Sequence, residues 1–244
     1  MRHGPAVRSP LQPPGRLRPG ETFTSTVRIR GQRYERTVVC TPWLASGIDL
    51  SGVIADALGD RVRPGDLVVV TEKVVVVATG RGVPAATVQP GRLARFVAAH
   101  VRPVGNSRGL SIPEKVQLVI DMVGRWRVVA AVAASTVTRP LGIRGAFYVV
   151  GGYVARSMDG MRPPYHDVLL PPLSPRVART IAEQLTAEVG HPVAIVDMND
   201  RGGSVRAVAT SVMSERSLAE VLADNPLGQR DQSTPIAIVR RLAG

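Results

Sequence analysis

Cysteine is almost absent from this 244-residue chain, with Cys40 standing alone. A single thiol closes no internal disulfide and cannot by itself build a thiolate metal centre. Histidine is also scarce. His3, His100, His166 and His191 lie far apart and lack the spacing of a helical zinc site. Aromatic residues are 4% of the chain, too few for a platform on which single-stranded bases stack. No apolar run approaches the roughly 20 residues that cross a bilayer as a helix. The longest, Val128 to Ala134, follows Arg125 and Arg127. Arg2 and His3 lead into proline-rich sequence rather than an apolar signal core. The expectation is a cytoplasmic protein with no membrane partner. There is no Gly-x-Ser-x-Gly elbow and no Walker loop, and Gly80-Arg81-Gly82 is too short for a dinucleotide fingerprint.

Positive charge is plentiful. The net charge is +12, and apart from Lys73 and Lys115 every basic side chain is arginine. The arginines are scattered, with no run longer than Arg240-Arg241, which argues against a nucleic-acid footprint and for attraction to small anions such as nucleotide phosphates. Hydrophobic residues make up 44%, enough for a core in one large domain or two interleaved subdomains. Residues 1–20 carry Pro5, Pro10, Pro13, Pro14 and Pro19 and read as a flexible arm. Residues 21–244 read as the folded body.

Within that body the pattern mixes strands and helices. Thr22–Ile29 and Arg33–Cys40 suit a hairpin about Gly31. Ile48–Leu58 has helical spacing, and Leu67–Val70 reads as a strand buried on both faces. Gly91–His100 reads as a helix with Leu93, Phe96 and Val97 inward. Ser111 is expected to cap a helix that follows Pro113. Val128–Ala134 fits strand or helix equally, and Ala146–Ala155 reads as a strand. Ser174–Val189 is the clearest helix, capped by Ser174 and ended by Gly190. Pro192–Val196 is a buried strand, Ser214–Leu222 a helix and Pro235–Val239 the last strand. The expected class is α+β, with mixed or antiparallel sheets and packed helices, not a Rossmann fold.

Three constellations could carry chemistry. Asp197-Met198-Asn199-Asp200 puts three oxygen-bearing side chains at a strand end, which suits a hard cation such as magnesium or manganese; an Asx-rich turn is the plainer reading. Arg139 and Arg144, with Asp159 beyond them, could clamp phosphates or carboxylates, or form a simple loop and hairpin. Lys73, after a buried strand, could reach a phosphate as a point charge, or be a surface lysine.

Two segments carry a resemblance. Gly65-Asp66, an apolar strand, Thr71-Glu72-Lys73, a second apolar stretch and Gly80-Arg81 are similar to the early strand and Lys-bearing element of the coenzyme F420:glutamate ligases. Gly228-Gln229, Asp231, Pro235 and a strand ending in Arg240 resemble that family's closing segment. The resemblance implies a ligase that adds L-glutamate to the deazaflavin cofactor F420-0 through a gamma-glutamyl amide, with GTP as co-substrate, Mn or Mg as divalent metal, and a homodimer. Carried onto this sequence, it implies Lys73, Arg139, Arg144 and Arg206 as catalytic phosphate clamps. It implies Asp159, Asp197, Asn199 and Asp200 as metal ligands, and Gln229, Thr234 and Gly228 as substrate contacts. Asn199 stands where the family has Asp, and Gly202–Gly228 leaves no room for a stretch the family has there. Two alternatives stay open: a non-catalytic relative that binds an anionic cofactor or nucleotide, and an Arg-rich nucleic-acid-binding protein.

Overall fold

The structure is a computed structural model; it describes residues 15–103, 108–143, 145–199, 202–209, 212–228 and 232–243. In chain order the elements are β1 (Thr22–Ile29), β2 (Gln32–Val39), α1 (Leu50–Leu58), β3 (Leu67–Thr71), α2 (Glu72–Ala78), β4 (Val83–Pro84), α3 (Arg92–His100), α4 (Pro113–Val123), α5 (Arg125–Thr138) and α6 (Ala146–Ser157). They continue with β5 (Asp159–Arg162), β6 (Tyr165–Leu170), α7 (Pro175–Val189), β7 (Val193–Asn199), β8 (Gly202–Val208), α8 (Glu215–Val221) and β9 (Ile236–Arg241). The class is α+β, as the sequence pattern predicts. The chain forms two units, one of residues 1–80 with 173–244 and one of residues 81–172.

The first unit is built on a six-stranded sheet in the order β1-β2-β9-β3-β7-β8. Every pairing is antiparallel except β3 with β7, which is parallel. One parallel pair in an antiparallel sheet is not the doubly wound Rossmann order. β3 holds the centre. All five of its residues are buried, and Leu67 and Val69 join Leu218 and Val221 of α8, and Leu222 just after it, in one core. Val68 and Val70 point to the opposite face and are equally sealed at 0% exposure. That two-sided burial explains the uninterrupted apolar run. Ser174 caps α7 by accepting from the Val177 N–H, and Gly190 closes the helix in the left-handed region, as expected. Cys40 is buried, and desolvation pushes its thiol pKa up, so it behaves as a core residue.

The described start of the chain lies against this unit. The Gly20 N–H donates to Cys40 O at 2.8 Å, the Leu17 N–H to Gln232 Oε1 at 3.3 Å, and Gln232 Nε2 to Gly15 O at 3.0 Å. Residues 1–14 lie outside the described residues.

The second unit combines a small sheet, β4-β6-β5, with α3 to α6. Ala94, Val97, Val116, Val119, Val128, Val154 and Ala155 form its helical core. Gly160 is required in the β5–β6 hairpin. Its φ is +96°, and an added Cβ would meet Val168 O at 2.2 Å.

Three sequence-based expectations are corrected here. Ala146–Ala155 is helical, not a strand. Gly145 in the left-handed region turns the chain into α6, which is kinked at Gly152 (φ +78°), and burial of Gly151, Val154 and Ala155 overrides the β propensity of Phe147, Tyr148, Val149 and Val150. Ser111 is not the cap of α4: Ile112 occupies that position and makes no side-chain bond. Phe96 is 53% exposed, because α3 turns Ala94, Val97 and Ala98 inward.

Candidate functional site

The register of the first unit brings three charged side chains together from three elements. β3 and β7 run parallel, with Thr71 opposite Val196. The next residue along the chain in each case is a carboxylate: Glu72, which opens α2, and Asp197, still within β7. On the other side of β7 the antiparallel ladder slips: Ile195 faces Ala207, but Val196 faces Val205. Arg206 is the extra residue of that bulge, and bulges re-aim a side chain out of the regular alternation. Its guanidinium bridges the two acids. Arg206 Nε donates to Glu72 Oε2 at 3.0 Å, and Nη2 to Asp197 Oδ2 at 2.7 Å. The Leu173 N–H donates to Glu72 Oε1 at 2.7 Å, tying the start of the α7 segment to the same carboxylate.

Burial sets the electrostatics. Glu72 is 6% exposed, and desolvation raises its pKa; Arg206 opposes the rise and Asp197 adds to it. Asp197 is more open, with its side chain 32% exposed against 11% for Arg206. Gly203 makes the hairpin beyond possible, since an added Cβ would lie 2.4 Å from Asp197 O.

The structure therefore unites Arg206 with Asp197 and adds Glu72, a residue the sequence reading treated only as a neighbour of Lys73. Lys73 lies in the first turn of α2, half-buried. Asn199 is exposed at the end of β7, opposite Gly202. Asp197 and Asn199 are thus strand residues rather than loop residues, two apart and on one face. Arg139 ends α5 and Asp159 opens β5, both in the second unit. Arg144, Asp200 and Gln229 lie outside the described residues.

Thr234 and Gly228 belong to a closing segment bound tightly to the first unit. The Thr234 hydroxyl donates to Leu227 O, and the Gly228 N–H to Asn225 O at 3.1 Å. The Thr41 N–H donates to Ser233 O at 2.7 Å, and the Thr71 N–H to Pro235 O at 2.9 Å. Asp224, at the head of the segment, pairs with the buried Arg36 of β2. At its other end Arg240 binds Asp66 with two parallel bonds, Nε to Oδ1 at 2.9 Å and Nη2 to Oδ2 at 2.7 Å. A separate cleft of about 270 Å³ in this unit, between α1 and α7, is lined by Asp49, Ser51, Gln184 and Glu188 and contains none of the residues singled out from the sequence.

Residues 39–214 match the model of a family described as F420-0:Gamma-glutamyl ligase. The match takes in β3, Lys73, Asp159, Asp197 and Arg206, and stops before the closing segment. No curated protein matches the chain.

Proposed function

The chain belongs to the F420-0:gamma-glutamyl ligase family, and from that membership we propose that it joins L-glutamate to a deazaflavin acceptor in a gamma-glutamyl amide, using GTP and a divalent cation. The family match over 39–214 is the observation that carries this reading. In the proposed chemistry the acceptor carboxylate attacks the γ-phosphorus of GTP. GDP leaves and an acyl phosphate forms. The glutamate amine then attacks the acyl carbon, loses a proton and expels phosphate. Phosphoryl transfer of this kind relies on positioning and charge stabilisation.

The donor set suits a hard cation. Asp197 and Asn199 supply oxygens on one face of β7. A divalent ion bound by Asp197 and Asn199, with Asp200 as a further candidate, would supply charge neutralisation for the phosphates. Arg206 positions the Asp197 carboxylate. Lys73 is assigned to the phosphate oxygens and Gln229 to the acceptor or glutamate, while Thr234 and Gly228 hold the closing segment itself.

GTP with manganese should raise the melting temperature more than either alone, and Asp197→Asn should remove the joint increment while leaving the ligand-free melting temperature within a few degrees. An unchanged joint increment in Asp197→Asn would take this carboxylate out of the site. A non-catalytic relative that binds the same anions is the second reading. It is favoured by the engagement of Arg206 with two carboxylates, which competes with a phosphate for the same guanidinium.

A further inference from the structure

The first unit carries three aromatic side chains, Phe23, Tyr34 and Trp43. Tyr34 packs against the sheet core, and Phe23 is half-buried on β1. Trp43 is 49% exposed. An indole offers a large apolar surface, and leaving half of it in water forgoes much of the gain from burial.

A loose loop does not account for this exposure, because the backbone on both sides of the indole is fixed. The Thr41 N–H donates to Ser233 O at 2.7 Å, and the Ser233 hydroxyl donates to Pro42 O at 3.2 Å. The residue after Trp43 is Leu44, buried at 3% exposure. Further on, the Gly47 N–H donates to Ala78 O at 3.0 Å, tying the loop to the end of α2. A tryptophan on so fixed a backbone loses little entropy when a ligand covers it, since two side-chain torsions are all that remain to be ordered.

The sheet places this loop at the end that carries the charged cluster. β9 pairs antiparallel with both β2 and β3, and β3 runs parallel to β7, so the C-terminal ends of β2, β3 and β7 coincide. Val39 and Val70 both face Ile236, and Thr71 faces Val196. Just beyond that row come the loop of Trp43 after β2, Glu72 and Lys73 after β3, and Asp197 and Asn199 on β7. β2 and β7 stand three strand spacings apart in the sheet order, about 14 Å. That separation suits a ligand whose ring lies away from its reacting group.

We propose that Trp43 is the shelf on which a planar heteroaromatic ring stacks, either the deazaflavin of the acceptor or the guanine of GTP. The inference rests on the ligase reading, which supplies both rings. A flat ring covers one face of an indole in the offset geometry that aromatic pairs favour. It would lie beside the closing segment, with the phosphates or the reacting carboxylate directed along the sheet end toward Asp197 and Asn199.

The test is titration calorimetry of the full chain with GTP and with F420-0, each with manganese, for the parent, Trp43→Ala and Trp43→Phe. Trp43→Ala should weaken one of the two ligands at least about fivefold and spare the other. Trp43→Phe should keep most of the affinity, since a smaller ring still stacks. If the ring is guanine, GTP should quench Trp43 emission in a Trp126→Phe background, and inorganic triphosphate should bind parent and Trp43→Ala alike. If it is the deazaflavin, the acceptor's long-wavelength band should shift to the red on binding the parent but not Trp43→Ala. Unchanged affinity for both ligands in Trp43→Ala overturns the proposal, and so does an equal loss for GTP, F420-0 and inorganic triphosphate, which marks a structural effect. Trp43 emission already blue in a ligand-free dimer, and unaltered by either ligand, would place the indole between two copies and overturn it too. Binding is read apart from turnover. Stacking without glutamyl product ends the ligase reading and keeps the shelf, whereas product formed with parent affinities by Trp43→Ala does the reverse. A parent chain that binds neither ligand ends both.

Discussion

Replacing Arg206 with methionine is expected to destabilise the protein by about 3 kcal/mol at neutral pH, because breaking a buried ion pair from one side leaves its partner charged in a poor solvent. Glu72 keeps only the Leu173 N–H of its two described bonds. The loss should depend on pH, and its sign is fixed. Burial already raises the Glu72 pKa, and Arg206 is the main force opposing that rise, so the variant raises it further. A carboxyl whose folded pKa exceeds its unfolded value stabilises fully below the unfolded pKa, and that contribution is lost as pH climbs through the folded one. Urea melts should therefore show the deficit of Arg206→Met growing from pH 5 to pH 8. Glu72→Gln in the same chain should flatten that dependence and recover part of the stability. A deficit independent of pH would mean that Glu72 is not the group left stranded.

Arg240→Met should cost a comparable amount, about 3 kcal/mol, at a site remote from any proposed chemistry. It leaves Asp66, 2% exposed, with the Arg63 N–H at 2.8 Å as its described partner. Arg240 also reaches Glu35 at 3.0 Å and the Arg61 carbonyl at 2.8 Å, so one guanidinium fastens β9, β2 and the loop before β3. Arg240→Lys should recover less than half, since an ammonium cannot reproduce the two parallel bonds. Denaturant midpoints of the two variants decide this. Equal stability of Arg240→Met and the parent chain would show that the fork contributes nothing.

That pair also explains why the two most legible stretches of the sequence were legible. Gly65-Asp66 before β3 and the arginine closing β9 both resembled the ligase family, and they are joined by a single fork. The recognisable pattern at those ends is therefore structural, while the closing segment spends its Thr234 hydroxyl on its own Leu227 carbonyl. β3 and α7 could be read because burial on both faces and a capped stripe leave distinct periodicities. The α6 helix could not, since Phe-Tyr-Val-Val favours a strand and the helix is kinked at Gly152, which breaks its periodicity. Glu72 was overlooked beside Lys73. The available signal was an acid placed immediately after a fully apolar strand, where a carboxylate needs a partner. The Arg206 bulge left no such trace, because a ladder slip depends on the partner strand.

The most direct test of the central claim is incubation of the full chain with F420-0, L-glutamate, GTP and manganese, read by mass spectrometry. The account predicts acceptor carrying one or more added glutamyl residues, with GDP and phosphate formed in step, and no product when GTP is omitted. Unmodified acceptor together with intact GTP, from protein whose melting temperature still rises with GTP and manganese, would contradict it and leave an anion-binding relative that catalyses nothing.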